Sequence, residues 1–213
     1  VRAALALLVA VAALVVPSAN AAVPGAADVN ALLRGIPQQG PWLGKKTARL
    51  VLVEYVDPQC PYCAVFSRQT LPPVIRSYVR TGKVRILFRG LSFVGPESTT
   101  ALRWMFGAGA QNKLWNVAEL LFVNQGGENE GWVTQSLLNA VARSVPALDL
   151  ARLRKDAPRT GLEIASAAAA AEAAKVPGTP YLQVGRSLSK LQPLRLKSFE
   201  SRDLAAQLDA LLK

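Results

Sequence analysis

The stretch "RLVLVEYVDPQCPYC", residues 49–63, contains both cysteines of this 213-residue chain, Cys60 and Cys63. It opens on a Val-rich apolar run at residues 49–56, closed by Asp57-Pro58, which reads as a buried strand. Pro61 suits the first position of a following helix, because its missing N–H has no intrahelical partner to lose. That makes Cys60 the N-cap and places Cys63 one turn along the same face, as the more buried of the two. The free N–H groups of the first turn and the positive end of the helix dipole then favour a thiolate at Cys60. Pro61-Tyr62 carries no cation, so the helix terminus is expected to do most of that work.

Elimination narrows what the pair is for. A structural zinc site takes four Cys or His ligands, and the chain has two Cys and no His. A copper(I) site has only Met105 to add to the dithiol. A purely structural disulfide here would close a loop too short to remove much chain entropy. A redox-active dithiol is left, with Cys60 as the attacking or attacked sulfur and Cys63 as the resolving one. No metal and no separate cofactor are called for, since the Cys60–Cys63 pair is itself the redox group. The missing histidines also exclude His general bases and Cys–His nucleophilic pairs.

Further along, helix is expected from Pro61 to Arg80, kinked or broken by Leu71-Pro72-Pro73. A strand follows at residues 84–89. From residue 98 to 175 four segments favour helix and none reads as a convincing strand. Strand character returns at 180–185 and at 193–199, before an amphipathic helix with Leu204, Leu208, Leu211 and Leu212 at core spacing. The order is that of an α/β domain with a helical insertion after its second recognisable strand. Residues 48–213 form that domain, with the insertion at about 97–175, and the Gly- and Pro-rich residues 23–47 lead into it.

Residues 1–22 read as a secretory signal or N-terminal anchor: Arg2, an apolar run from Ala3 to Val16, then Ala19-Asn20-Ala21. The body of the protein is therefore expected outside the cytoplasm, in periplasm or cell envelope, where disulfides persist. Net charge is +11, and Arg2 accounts for only one of those charges. The cations are scattered rather than clustered, which fits a solvated basic surface near anionic lipid or cell wall and argues against nucleic acid.

These residues resemble the DsbA-like thioredoxin-fold family of exported thiol–disulfide oxidoreductases. "CPYC" at 60–63 is similar to that family's Cys-Pro-x-Cys site, and "VPGTP" at 176–180 resembles its loop ahead of the cis-proline strand. Weaker likenesses lie in "GIPQQGPWLG" at 35–44 and "LLFVNQGGENEGW" at 120–132, and Pro177 is a departure from the family pattern. The resemblance implies a thioredoxin-like fold with its insertion ahead of the cis-proline strand. It implies a cis bond at Thr179–Pro180, and a substrate-binding loop of Gly178, Thr179 and Pro180 with Tyr62 beside it. It implies a buried acid at Glu54 that transfers protons to and from Cys63. It further implies an enzyme that oxidises reduced exported proteins and is itself reoxidised by a membrane quinone-linked protein of the DsbB or vitamin K epoxide reductase type; a monomer is expected. A disulfide isomerase or reductase of the same fold is the rival within the chemistry. A non-catalytic export chaperone or metal-binding module is the rival outside it.

Overall fold

A computed structural model describes residues 22–213. The apolar run and the Ala19-Asn20-Ala21 site of the N-terminal segment lie outside them. In chain order the elements are α1 (Ala26–Leu33), β1 (Gln38–Gln39), β2 (Trp42–Leu43), β3 (Leu50–Val56), α2 (Pro61–Val65), α3 (Leu71–Val74), β4 (Val84–Gly90), α4 (Pro96–Gly109), α5 (Leu114–Val123), α6 (Gln135–Arg143), α7 (Leu150–Asp156), α8 (Gly161–Ala173), β5 (Tyr181–Gly185), β6 (Leu191–Leu194) and α9 (Ser201–Leu212). Among the described residues no helix is long and apolar enough to cross a membrane.

The strands form one six-stranded sheet in the order β1-β2-β4-β3-β5-β6. Every residue of β3 is buried, as its unbroken apolar run predicts for a strand covered on both faces. Side chains alternate between the faces. Leu50, Leu52 and Val56 enter the main core, whereas Val51, Val53 and Tyr55 enter a smaller core beneath α8. The alanine run of α8 explains the second core. Ala167 and Ala171 are buried there, and their small side chains let the helix lie close to the sheet.

β3 pairs in parallel with β4, so the chain between them must cross over, and the helix that opens at Pro61 does this. β5 pairs antiparallel to β3 with Tyr181 opposite Tyr55 and Leu182 opposite Glu54. That register sets the start of β5, and Pro180 just before it, beside the C-terminal end of β3 where Cys60 follows. The helical insertion, α4 to α8, lies between β4 and β5 as expected. Its α4 and α5 carry a large share of the core, including Trp115, Leu102 and Phe122.

One expectation takes its milder form, and another needs correction. Leu71-Pro72-Pro73 distorts the helix without breaking it. π-helical turns at Phe66–Thr70 and Ile75–Val79 flank α3, and the backbone stays helical from Pro61 to Val79. Proline has no N–H to give and its ring crowds the preceding turn, so a widened turn with Leu71 N–H bonded to Phe66 C=O absorbs the misfit. The last strand is also shifted. It covers Leu191–Leu194 rather than 193–199, and Gly185 sits so close to Lys190 that a side chain there would strike its backbone.

Residues 23–47 supply α1 and the edge strands β1 and β2, and they bury Val29, Leu33, Ile36 and Leu43 in the main core. Trp104 and Trp115 are buried as packing residues, and Arg85 lies over the Trp42 ring at 4.2 Å. In α9, Leu204 and Leu208 are fully buried, with Leu211 and Leu212 packed at the margin.

Candidate active site

Cys60 has extended backbone angles (φ −69, ψ 119), and Pro61 opens α2 behind it. The Cys60 carbonyl accepts the first bonds of the helix, from Cys63 N–H at 3.0 Å and Ala64 N–H at 3.2 Å. Cys60 is thus the N-cap, as the sequence indicates. Both cysteines are free thiols here and both are buried, Cys63 completely and Cys60 with 6% of its surface exposed.

The two sulfurs ionise very differently. The Cys60 pKa is lowered to about 6, first because the Cys63 thiol bonds to its sulfur. Burial works against this, and the Thr179 side chain and the backbone N–H groups of Cys63 and Tyr62 add to it. The helix terminus therefore contributes less than the sequence suggests. The neighbouring thiol leads, and the first-turn N–H groups of the helix come after it. Cys63 moves the opposite way. Burial and the adjacent Cys60 push it well above the usual thiol range. One sulfur is poised as a thiolate, and the other keeps its proton.

Across the site the Thr179–Pro180 peptide bond is cis. The Cys60 thiol donates to the Thr179 carbonyl at 3.2 Å. That bond holds the protonated sulfur, whereas the Thr179 side chain favours the ionised one, so a single residue attends both forms. The chain brings these residues together from positions 119 apart. Gly178 lies in open space, with nothing near the place where a side chain would start. Tyr62 is 64% exposed and stacks on Phe199 with ring centroids 6.1 Å apart. A groove of about 740 Å³ runs from these two rings past Thr179 and Pro180 to Leu196, with Lys175 and Arg195 at its rim.

Glu54 is buried in β3, and its Oε2 has no hydrogen-bond partner. Burial first, then the nearby Glu119 carboxylate, raises its pKa well above the usual range. Glu119 was not anticipated. It lies within the apolar run "LWNVAELLFV" of α5, and a lone acid in such a helix is the signal that marks it. It accepts a hydrogen bond from Ser67 Oγ at 2.7 Å, and burial raises its pKa to about 7. Asp57 closes the apolar run of β3 in the sequence, and its buried carboxylate accepts four hydrogen bonds. Among the described residues no cluster of three or more His, Cys, Asp or Glu side chains forms.

Residues 37–194 match the family model described as Thioredoxin. The probable disulfide bond formation protein D of Bacillus anthracis is 28% identical over 158 residues, which cover 69% of this chain and 70% of that protein. Among solved structures, oxidised BdbD of Bacillus subtilis superposes with a TM-score of 0.70 at 22% identity, covering 83% of this chain and 97% of that one. Wolbachia pipientis alpha-DsbA1 gives a TM-score of 0.67 at 18% identity, covering 86% of this chain and 96% of that one. With the dithiol at a helix N-terminus facing a cis-proline loop, the chain belongs to the thioredoxin family.

Proposed function

We propose that this protein is an extracytoplasmic disulfide oxidase that introduces disulfides into exported proteins. The observation that carries the reading is the split between the two sulfurs. A Cys60 held as thiolate beside a Cys63 held as thiol stabilises the reduced pair, so the oxidised pair gives up its disulfide readily. The name carried by its Bacillus relatives, disulfide bond formation protein D, agrees with that direction.

The chemistry follows from the geometry. A substrate thiolate attacks Cys60 of the oxidised pair, the Cys60–Cys63 bond breaks, and Cys63 leaves and takes up a proton. Cys60 and the substrate sulfur are now joined in a mixed disulfide. A second substrate thiolate attacks the substrate sulfur, and Cys60 leaves as the stable thiolate. Two electrons have passed from substrate to enzyme, and the substrate holds the new disulfide. An extended substrate segment lies along the Thr179–Pro180 loop, with an apolar side chain in the groove beside Tyr62 and Phe199. Glu54 acts as the proton carrier for Cys63, and Gly178 leaves the approach unobstructed. The dithiol needs no further cofactor. A membrane quinone-linked protein of the DsbB or vitamin K epoxide reductase type restores the disulfide. The apolar segment at residues 3–16 sends the chain out of the cytoplasm or tethers it to the membrane.

Trapping tests this reading. A Cys63→Ser chain whose Cys60 is first loaded as a mixed disulfide with glutathione trades the glutathione for the thiol of a reduced one-cysteine substrate and, with neither Cys63 nor a second substrate thiol to release it, accumulates that mixed disulfide. Cys60→Ser accumulates none. Mixed disulfides that form through Cys63 when Cys60 is absent would reverse the assignment.

A further inference from the structure

Residues 57–59 lie between β3 and α2, outside any regular element, and they carry the chain into Cys60. Such a turn takes its geometry from whatever its polar groups bond to. Here the partners come from the helical insertion and the loop leading to it. Asp57 Oδ1 accepts from Ser98 Oγ at 2.6 Å and from Gln59 N–H at 2.8 Å. Its Oδ2 accepts from the N–H groups of Phe93 and Val94 at 2.6 and 2.9 Å. Gln59, also fully buried, donates to Ser98 Oγ at 3.0 Å and accepts from Asn129 N–H at 2.8 Å. Asn129 takes the left-handed conformation (φ 57), and its side chain fills the space that any side chain at Gly95 would need.

One contact reaches the nucleophile's own peptide. Gln125, just past the end of α5, donates from Nε2 to the Pro58 carbonyl at 2.7 Å and to the Cys60 carbonyl at 3.1 Å. A side-chain amide has two N–H donors, and both are committed to the redox turn. Two facing carbonyls also fix which end of the amide points inward. The Cys60 carbonyl is the same atom that accepts the first two bonds of the redox helix.

We propose that Gln125 is a positioning residue for the dithiol: through its amide the insertion holds the Cys60 peptide at the helix start and so fixes the Cys60 sulfur against the Thr179 loop. The inference rests on Cys60 being the attacking sulfur. It gives the insertion a task in the chemistry as well as in the core. Without the Gln125 donors the turn loosens. The groups that stabilise the Cys60 thiolate, the Cys63 thiol and Thr179 among them, are then held less well in place.

The test compares Gln125→Ala, Gln125→Met and Asn124→Ala in the full chain. Asn124 is the control, because its side chain bonds to Pro24 and Leu120 carbonyls and not to the redox turn. Gln125→Met keeps the stem and loses only the donors, so the question survives a Gln125→Ala chain that fails to fold. Thiolate absorbance and alkylation rate are followed against pH, with circular dichroism to verify the fold. Both Gln125 variants are expected to lower the Cys60 ionisation constant about fivefold, the scale of one lost hydrogen bond, while Asn124→Ala leaves it within about twofold. Folded Gln125 variants that ionise within about twofold of the parent overturn the proposal. So does an Asn124→Ala chain that shifts as far as they do. If the parent shows no low-pKa thiol that Cys60→Ser removes, the assignment of Cys60 falls first, and the proposal falls with it.

Discussion

Glu54 and Glu119 are both buried, and neither makes an ion pair among the described residues. A carboxyl pushed up by burial costs stability once the unfolded chain can ionise and the folded one cannot. The sign follows directly. For Glu119, between the ordinary 4.5 and about 7, the unfolded state binds fewer protons than the folded state, so stability falls as pH rises through that window. Glu119→Gln should therefore be more stable than the parent by roughly 1–3 kcal/mol near pH 8, with the gain gone near pH 4, and Glu54→Gln should gain in the same direction as pH rises. Thermal unfolding across pH reads this out. No gain at high pH would mean that the two sites are not the dry pockets described. Glu54→Gln should in addition shift the pH profile of thiol exchange, if Glu54 carries protons for Cys63. Of these residues, Glu54 was legible through the family likeness, which implies a buried acid there. Glu119 carries a signal of its own, a lone acid in an apolar helix, but its partner Ser67 lies 52 positions away; Gln125 carries none, because it meets Cys60 across 65.

At the scale of elements, the strands and long helices followed from apolar pattern, and the failures have physical causes. β3 was legible as an apolar, Val-rich run, and β4 because Ile86, Leu87 and Phe88 form an apolar run between two arginines. Helix α1 was hidden in a Gly- and Pro-rich lead, and α7 is only 7 residues long, too short for a clear periodicity. At Leu71-Pro72-Pro73 the helix is distorted rather than broken, because π turns widen around the prolines. The alanine run of α8 makes a direct test possible. Ala171→Leu should destabilise the protein by about 1–3 kcal/mol, because it forces the helix away from the second core. Ala168→Leu, on the exposed side, should stay within about 0.5 kcal/mol. Equal effects in denaturant titrations would mean that α8 does not pack on the sheet through the Ala167–Ala171 face.

Across the whole molecule, a sheet of fixed register does what short motifs cannot. It sets the start of β5 against the end of β3, and so brings Thr179 within hydrogen-bond distance of Cys60. The likeness of CPYC and VPGTP to their family anticipated that meeting, while composition and periodicity alone supplied only the α/β order of elements. The insertion then closes over the same turn from the other side, through Asp57, Gln59 and Gln125. What the fold does to the dithiol is captured by one quantity, the equilibrium between Cys60–Cys63 disulfide and dithiol. Its reduction potential, measured in glutathione buffers with Cys60→Ser as the silent control, tests the central claim most directly. The Cys60 thiolate, held by the Cys63 thiol, stabilises the reduced pair, so a value more oxidising than that of thioredoxin, toward the end of the known range at around −120 mV, is expected. A value near that of thioredoxin, about −270 mV, would contradict the account and make this protein a reductant.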